Sequence, residues 1–452
     1  MESMLLFLLG TMLTIYFIIG IIASRKVKNT TDYFLAGQSL SVPAITATLL
    51  ATQIGGGMFL GTAQNPIQGS LYILGMALGF IVLGMGIAAK LQAFQVTTIG
   101  EIFYKKYNSS FLSHITALLS SISIFGIIVA QMVAAKSVLL HFAGIDNSWL
   151  FLLFWAFIII YTMIGGLAAV VMTDMIQIAL IIFIFSGICI YALFTNPIPF
   201  LSSTTYSTLS TLLASSHLSW AQAFRIISMP LLFSIIEQDL AQRFFAAQSK
   251  RSAMLSAFAA GILLLLFAFV PFYFGVQAHL TNVLHTTDVN PLLPVLRSYT
   301  SPFFYALAVC ALLSAITSTT DSLLCAISAI TTQSFTTHYK ITATVKLSRI
   351  ITLICALAAL ITSYLVPHSI ISLLINSYEL SVACLFVPLL FCFISKDLRE
   401  KAALFSSFFG TISFTILQLP YFSDIHDYSI IIILCTAFIG YGLGYLLSIK
   451  NN

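Results

Sequence analysis

Stretches of about twenty apolar residues recur along this chain from end to end, and no other feature restricts its fold as strongly. Each is the length an α-helix needs to cross roughly 30 Å of hydrocarbon. Thirteen such stretches lie near residues 4–23, 43–65, 72–92, 114–142, 149–167, 173–195, 219–238, 253–278, 302–335, 345–365, 369–393, 402–419 and 428–449. Only 7% of the 452 residues are charged, where a soluble domain carries roughly 25%. The pattern predicts an all-α polytopic membrane protein of about 13 transmembrane helices. The longest polar connections, near 196–217 and 279–301, read as loops, so no appended soluble domain is expected and an enzyme or fused sensor is disfavoured. The first span is expected to be a retained helix and not a secretory signal, because its leader MESMLLF has an acid and no base.

The basic residues orient this bundle. With the N-terminus outside and the C-terminus in the cytoplasm, sixteen of the 19 Lys and Arg fall on cytoplasmic segments, Arg243, Lys250 and Arg251 among them. Arg297 is left outside, and Lys136 and Arg225 lie within spans. That asymmetry follows the positive-inside rule, so the net charge of +5 calls for a lipid bilayer and not for nucleic acid. No obligate protein partner is indicated. The residue bias points to a multi-pass plasma membrane protein of a bacterial inner membrane. The seven cysteines lie in or near spans without metal-type spacing and read as small core hydrophobes.

Two spans carry helix-breaking residues. The second contains Gly55, Gly56 and Gly57 in ATQIGGGMFLGTAQ, and the seventh contains Pro230 in IISMPLLFSII. Glycine is a poor helix former, and proline removes a backbone donor and crowds the preceding turn. The two spans are five apart in order and therefore cross in opposite directions. Spans 2–6 (residues 43–195) and 7–11 (219–393) then read as inverted five-helix repeats joined by an outer loop at 196–218. Residues 1–42 supply an extra N-terminal span with its loop, and 394–452 supply two C-terminal spans. Paired interruptions of this kind point to a transporter binding site, where freed carbonyls can ligate a cation.

The ninth span carries SAITSTTDS at 314–322, with hydroxyls at Ser314, Thr317, Ser318, Thr319 and Thr320 before Asp321. A lone serine or threonine in such a helix commonly bonds back to its own backbone or glues a neighbour. Here the density matters. The Ala315 carbonyl and the Ser318 and Thr319 hydroxyls are three or four residues apart, share a face and can converge on one ion.

From these residues the chain resembles the sodium:solute symporter family of proline, pantothenate and sodium–glucose transporters. DYFLAGQSL (32–40), ATQIGGGMFLGTA (51–63), TTIGEIFYKKY (97–107), GGLAAVVMTDMIQ (165–177), DLAQRFFAAQSKRSA (239–253) and SAITSTTDSLL (314–324) are all similar to family stretches, although Gln38 stands where arginine is common. The resemblance implies a leucine-transporter-type fold with a core of two inverted repeats. It also implies sodium held between the first and eighth core helices by carbonyls of Ala51, Ile54 and Ala315 and hydroxyls of Ser318 and Thr319. Asp174, in the TD motif, is implied to support sodium passage toward the cytoplasm; a capping carboxylate is the structural alternative. Sodium is then the only metal and the coupling ion, with no further cofactor.

Ionisable groups inside a membrane cost roughly 2.5–3.5 kcal/mol each on insertion scales. Lys136, Asp174, Arg225, Glu237, Asp321 and Glu379 are the candidates. Glu237 and Asp239 are expected to be solvated at the cytoplasmic interface. Lys136 should pair with an acid or snorkel outward, and Glu379 should face the cavity or pair within the bundle. Gln53, Gly56, Gln131, Phe233 and Tyr378 flank the breaks and are the expected solute contacts. Phe233 falls where the sugar branch has a gating tyrosine, which weakens a sugar reading against an amino acid or organic acid. The expected function is sodium-coupled symport by alternating access. Proton coupling through Asp174 or Asp321, or a sensor or channel of the same fold, are the alternatives.

Overall fold

The computed structural model describes residues 2–143, 148–195, 218–280, 290–365 and 370–449. The expected outer loop at 196–217 and Lys450 lie outside these residues. The described chain is helical, with only an isolated bridge between Leu40 and Ala247. Helix α1 (Glu2–Ser24) is followed by α2 (Thr30–Leu35), α3 (Val42–Gln53), α4 (Gly56–Gln64), α5 (Pro66–Val82), α6 (Ala88–Ala93), α7 (Ile99–Tyr107), α8 (Ser110–Ala143) and α9 (Ser148–Thr195). Then come α10 (Trp220–Ile236), α11 (Gln238–Phe245), α12 (Lys250–Phe267), α13 (Phe269–Leu280), α14 (Leu292–Tyr299), α15 (Pro302–Tyr339) and α16 (Val345–Leu365). Helices α17 (Ile370–Ser381), α18 (Val387–Ile394), α19 (Glu400–Leu417) and α20 (Ser429–Ile449) complete the chain.

Nine helices among the described residues are long and apolar enough to cross a membrane, or ten if α3 and α4 count as one bent span. Within α9, Gly166 departs from helical geometry (φ 56, ψ −152). The 47 residues from Trp149 to Thr195 would make roughly 70 Å of helix, more than two hydrocarbon thicknesses. Gly166 is therefore where the chain turns between two crossings. A Cβ there would lie 2.4 Å from the Tyr33 carbonyl, so both the positive φ and the close approach require glycine.

Helix α15 is the centre of the bundle. Its spanning segment is 83% buried, against 22% for α16. The Ala, Ser and Thr that fill it allow neighbouring backbones to approach closely, which is how membrane helices pack without a hydrophobic drive between them. The close fit of α5 against α10 has the same origin: a Cβ on Gly75 would lie 2.1 Å from the Ile227 carbonyl and 2.8 Å from the Pro230 ring.

The two interruptions differ from each other. Between α3 and α4 the chain bends by 45°, with Ile54 (φ −80, ψ 62) and Gly55 (φ −92, ψ −177) outside helical geometry. In the other repeat, α10 runs unbroken through Pro230. The break falls instead at Glu237 (φ −70, ψ 123). Pro230 forfeits only its own donor and its ring nests against Gly75, so the helix carries it without ending. Five of the cysteines are buried, while Cys355 is half-buried and Cys435 exposed.

Candidate functional site

The first break lies against the hydroxyl run of α15. Ser318 Oγ donates to the Ala51 carbonyl at 2.7 Å and to the Ala315 carbonyl at 3.0 Å. Thr319 Oγ1 donates to the Thr52 carbonyl at 2.7 Å and to Ala315 at 3.2 Å. Four of the five expected ligands, Ala51, Ala315, Ser318 and Thr319, are thus hydrogen-bonded together. Ile54, the fifth, lies at the bend itself. All five residues are buried. The set is oxygen only and uncharged, which suits a hard monovalent cation. A Cβ on Gly55 would lie 2.6 Å from Thr319 Oγ1, so the glycine lets the two elements meet.

A charged network lies one turn further along α15. Arg243, on α11, is fully buried. Its Nε donates to Thr48 Oγ1 at 2.9 Å, and Nη2 donates to Thr52 Oγ1 at 2.6 Å and Ser322 Oγ at 2.5 Å. Its guanidinium also lies 3.5 Å from the Asp174 carboxylate and 3.6 Å from that of Asp239. Thr48 donates to Asp174, and Tyr161 donates to Asp321. One oxygen each of Asp174 and Asp321, and both of Asp239, lack a hydrogen-bond partner among the described residues. Asp174, Asp239, Asp321 and Glu237 are all buried, and the first two pair with the buried Arg243.

This corrects three expectations. Arg243 is an interior ion-pair partner and not a cytoplasmic surface charge, because acids from α9 and α11 converge on it. Glu237 and Asp239, 5% and 0% exposed, are not solvated at an interface, because the bend at Glu237 turns α11 into the protein. Asp174 does not cap a helix start; it sits inside α9, well past the turn at Gly166.

Beside the first break is a small chamber lined by Gln53, Gly55, Gly57, Gln131, Glu237, Thr319, Tyr72 and Tyr378 among others. Toward the Trp220 end of α10 lies a second, larger cleft, lined by Asn65, Gln68, Arg225 and Pro230 among others. Tyr72 and Tyr378 line both spaces, and their hydroxyls share a hydrogen bond of 2.9 Å. Of the expected solute contacts, Gln53, Gln131 and Tyr378 line the chamber. Phe233 does not, since it is stacked behind Tyr378 with ring centroids 4.1 Å apart. Gly56 does not either; a Cβ on it would meet Ile316 of α15 at 2.6 Å.

Arg225 and Glu379, two of the remaining intramembrane charges, pair with each other. Arg225 Nε bonds Glu379 at 2.9 Å, and Ser429 also donates to Glu379. Among the described residues Lys136 has no acidic partner; its Nζ lies 4.3 Å from the centroid of the Tyr364 ring. Tyr72, Tyr161, Thr48 and Arg243 were not singled out as site residues by the sequence. A lone tyrosine or threonine in a span has no local signature, and Arg243 read as an ordinary flanking charge.

Known proteins resemble this chain in sequence and in fold. Residues 33–410 match the model of the sodium:solute symporter family. A sodium/glucose cotransporter of Vibrio parahaemolyticus is 30% identical over 33% of this chain and 28% of its own length. A sodium/pantothenate symporter of Haemophilus influenzae is 27% identical over 37% of each, and the osmoregulated proline transporter OpuE of Bacillus subtilis is 29% identical over 36% and 37%. The matched stretch spans about a third of the length of these curated relatives. The fold matches that of a Na+-coupled sialic acid symporter solved in a substrate-bound outward-open state, with a TM-score of 0.81 at 17% identity over 98% of this chain and 97% of the other. A nucleobase-cation-symport-1 family transporter in a closed conformation matches with a TM-score of 0.62 at 12% identity, over 92% and 94%. These neighbours are transporters and not enzymes, and the chain, a multi-pass membrane protein, belongs to the sodium:solute symporter family.

Proposed function

We propose that the protein is a secondary active transporter that couples inward movement of sodium to that of a small polar solute. The observation that carries this reading is the junction of Ser318 and Thr319 with the broken backbone at Ala51–Gly55. Sodium held there by Ala51, Ile54, Ala315, Ser318 and Thr319 would pin the bent α3–α4 span to α15 and complete the adjoining chamber. Solute binding then lets one helix bundle rock against the other. The hydroxyl pair of Tyr72 and Tyr378 is the barrier between chamber and outer cleft. Asp174, held by Arg243 and Thr48, marks the route by which sodium leaves. Each charge moved inward through 100 mV contributes about 2.3 kcal/mol. Coupling requires sodium and solute to raise each other's affinity.

The orientation we infer has the N-terminus outside and the C-terminus in the cytoplasm of a bacterial inner membrane. The small chamber favours an amino acid or organic acid over a sugar, and Phe233 offers no hydroxyl to a sugar. Proton coupling is the second reading, favoured by the excess of buried carboxylates over Arg243. Uptake of a solute panel by proteoliposomes, under an imposed sodium gradient or an imposed pH gradient, separates the two. Accumulation that needs sodium and collapses in a Ser318→Ala, Thr319→Ala double variant supports sodium coupling. Accumulation driven by pH alone overturns it.

A further inference from the structure

The chamber beside the first break contains one carboxylate, that of Glu237, and no basic side chain. Glu237 is 5% exposed and reaches the chamber because extended backbone at this residue separates α10 from α11. Gln53 donates to its Oε2 at 3.3 Å. Among the described residues it has no ion pair with a lysine, arginine or histidine. Arg243 is held by Asp239 and Asp174. Around Glu237 the chamber offers the rings of Tyr72 and Tyr378 and the amide of Gln131, whose Oε1 lacks a hydrogen-bond partner.

Such walls discriminate by charge. An anionic solute would bring a second negative charge against a buried carboxylate. A neutral sugar would leave that carboxylate without a counter-charge, which is costly in a dry interior. A protonated amine meets every feature at once: the carboxylate neutralises it, the free amide oxygen accepts from its N–H, and aromatic faces attract a cation; a quaternary ammonium meets the first and last of these. We propose that the solute carries such an amine, free or as part of a zwitterion, and that Glu237 is its counter-ion. This assignment rests on the sodium-coupled transport reading and narrows its solute class, placing simple organic acids below amino acids and amines.

Matched pairs of solutes test it. Purified protein in sodium-containing buffer is heated with L-alanine or L-lactate, with choline or 3,3-dimethyl-1-butanol, and with L-proline or cyclopentanecarboxylate; glucose and pantothenate complete the panel. At least one amine is expected to raise the melting temperature while its amine-free partner does not. Glu237→Gln is expected to weaken that amine at least tenfold, with Glu237→Asp weakening it less. The stabilisation by sodium alone should persist in Glu237→Gln, which also shows that the variant is folded. If Glu237→Gln does not fold, the matched pairs in the wild type still decide. Response to lactate, cyclopentanecarboxylate, glucose or pantothenate without any amine overturns the amine assignment and leaves sodium coupling standing. Failure of every amine overturns it too, as does a Glu237→Gln variant that loses the sodium response itself. Absence of any sodium response in the wild type is instead the failure of the transport reading.

Discussion

The two helix breaks meet the same central helix with different chemistry. At Ile54–Gly55 the chain is interrupted by glycines and offers uncharged oxygens to Ser318 and Thr319. At Glu237 it is interrupted without glycine or proline and offers carboxylates, with Arg243 one turn beyond. A neutral cage binds a cation at modest cost and can release it; a charged cluster must keep its charges paired or neutralised at all times. That difference supports the proposal that reversible ion binding belongs to the first break and charge selection to the second.

The largest expected effect comes from unbalancing the charged side. Arg243→Met strands Asp174 and Asp239 in the interior, and removal of one partner from a buried pair typically costs about 3–5 kcal/mol. The variant should express poorly and melt well below wild type in detergent. Arg243→Lys should recover only part of this, since an ammonium cannot reproduce donors aimed at Thr48, Thr52, Ser322 and Asp239 together. A wild-type melting temperature in Arg243→Met would mean that the acids are not charged as drawn here.

Next in size is the neutral side. Gly55→Val places branched carbon against Thr319 Oγ1, where even a Cβ would lie 2.6 Å away. The protein should fold but lose sodium-dependent stabilisation, measured as the melting shift between sodium and potassium buffers. A preserved shift would show that α3–α4 and α15 need not meet to hold the ion. The smallest effect is expected at the barrier. Tyr72→Phe removes a single hydroxyl pair, worth about 1 kcal/mol, so solute release toward the outer cleft should quicken about fivefold in a filter-binding dissociation assay. Unchanged release would remove the Tyr72–Tyr378 pair from the gate.

The two breaks were also unequally legible. The neutral site could be read from the chain because its parts are local: three successive glycines in one span, and hydroxyls at helical spacing in another. A resemblance to family stretches then joined them. The charged site draws on α3, α9, α11 and α15, and only the folded backbone brings these together. Arg243 looked like one more cytoplasmic cation, and Glu237 like an interfacial acid, because the bend that buries both carries no glycine or proline to announce it. Pro230 misled for the converse reason. Proline signals a break strongly, yet here its ring fits against Gly75 and the helix continues. The same holds for Phe233, whose position along α10 suggested the cavity while packing places it behind Tyr378.

Binding of radiolabelled sodium to purified protein, without solute, tests the division most directly. Wild type and Glu237→Gln should both bind sodium saturably with similar affinity, whereas Ser318→Ala, Thr319→Ala should weaken it at least tenfold. Sodium binding that survives the double substitution, or that disappears with Glu237→Gln, would contradict the assignment of the ion to the neutral break.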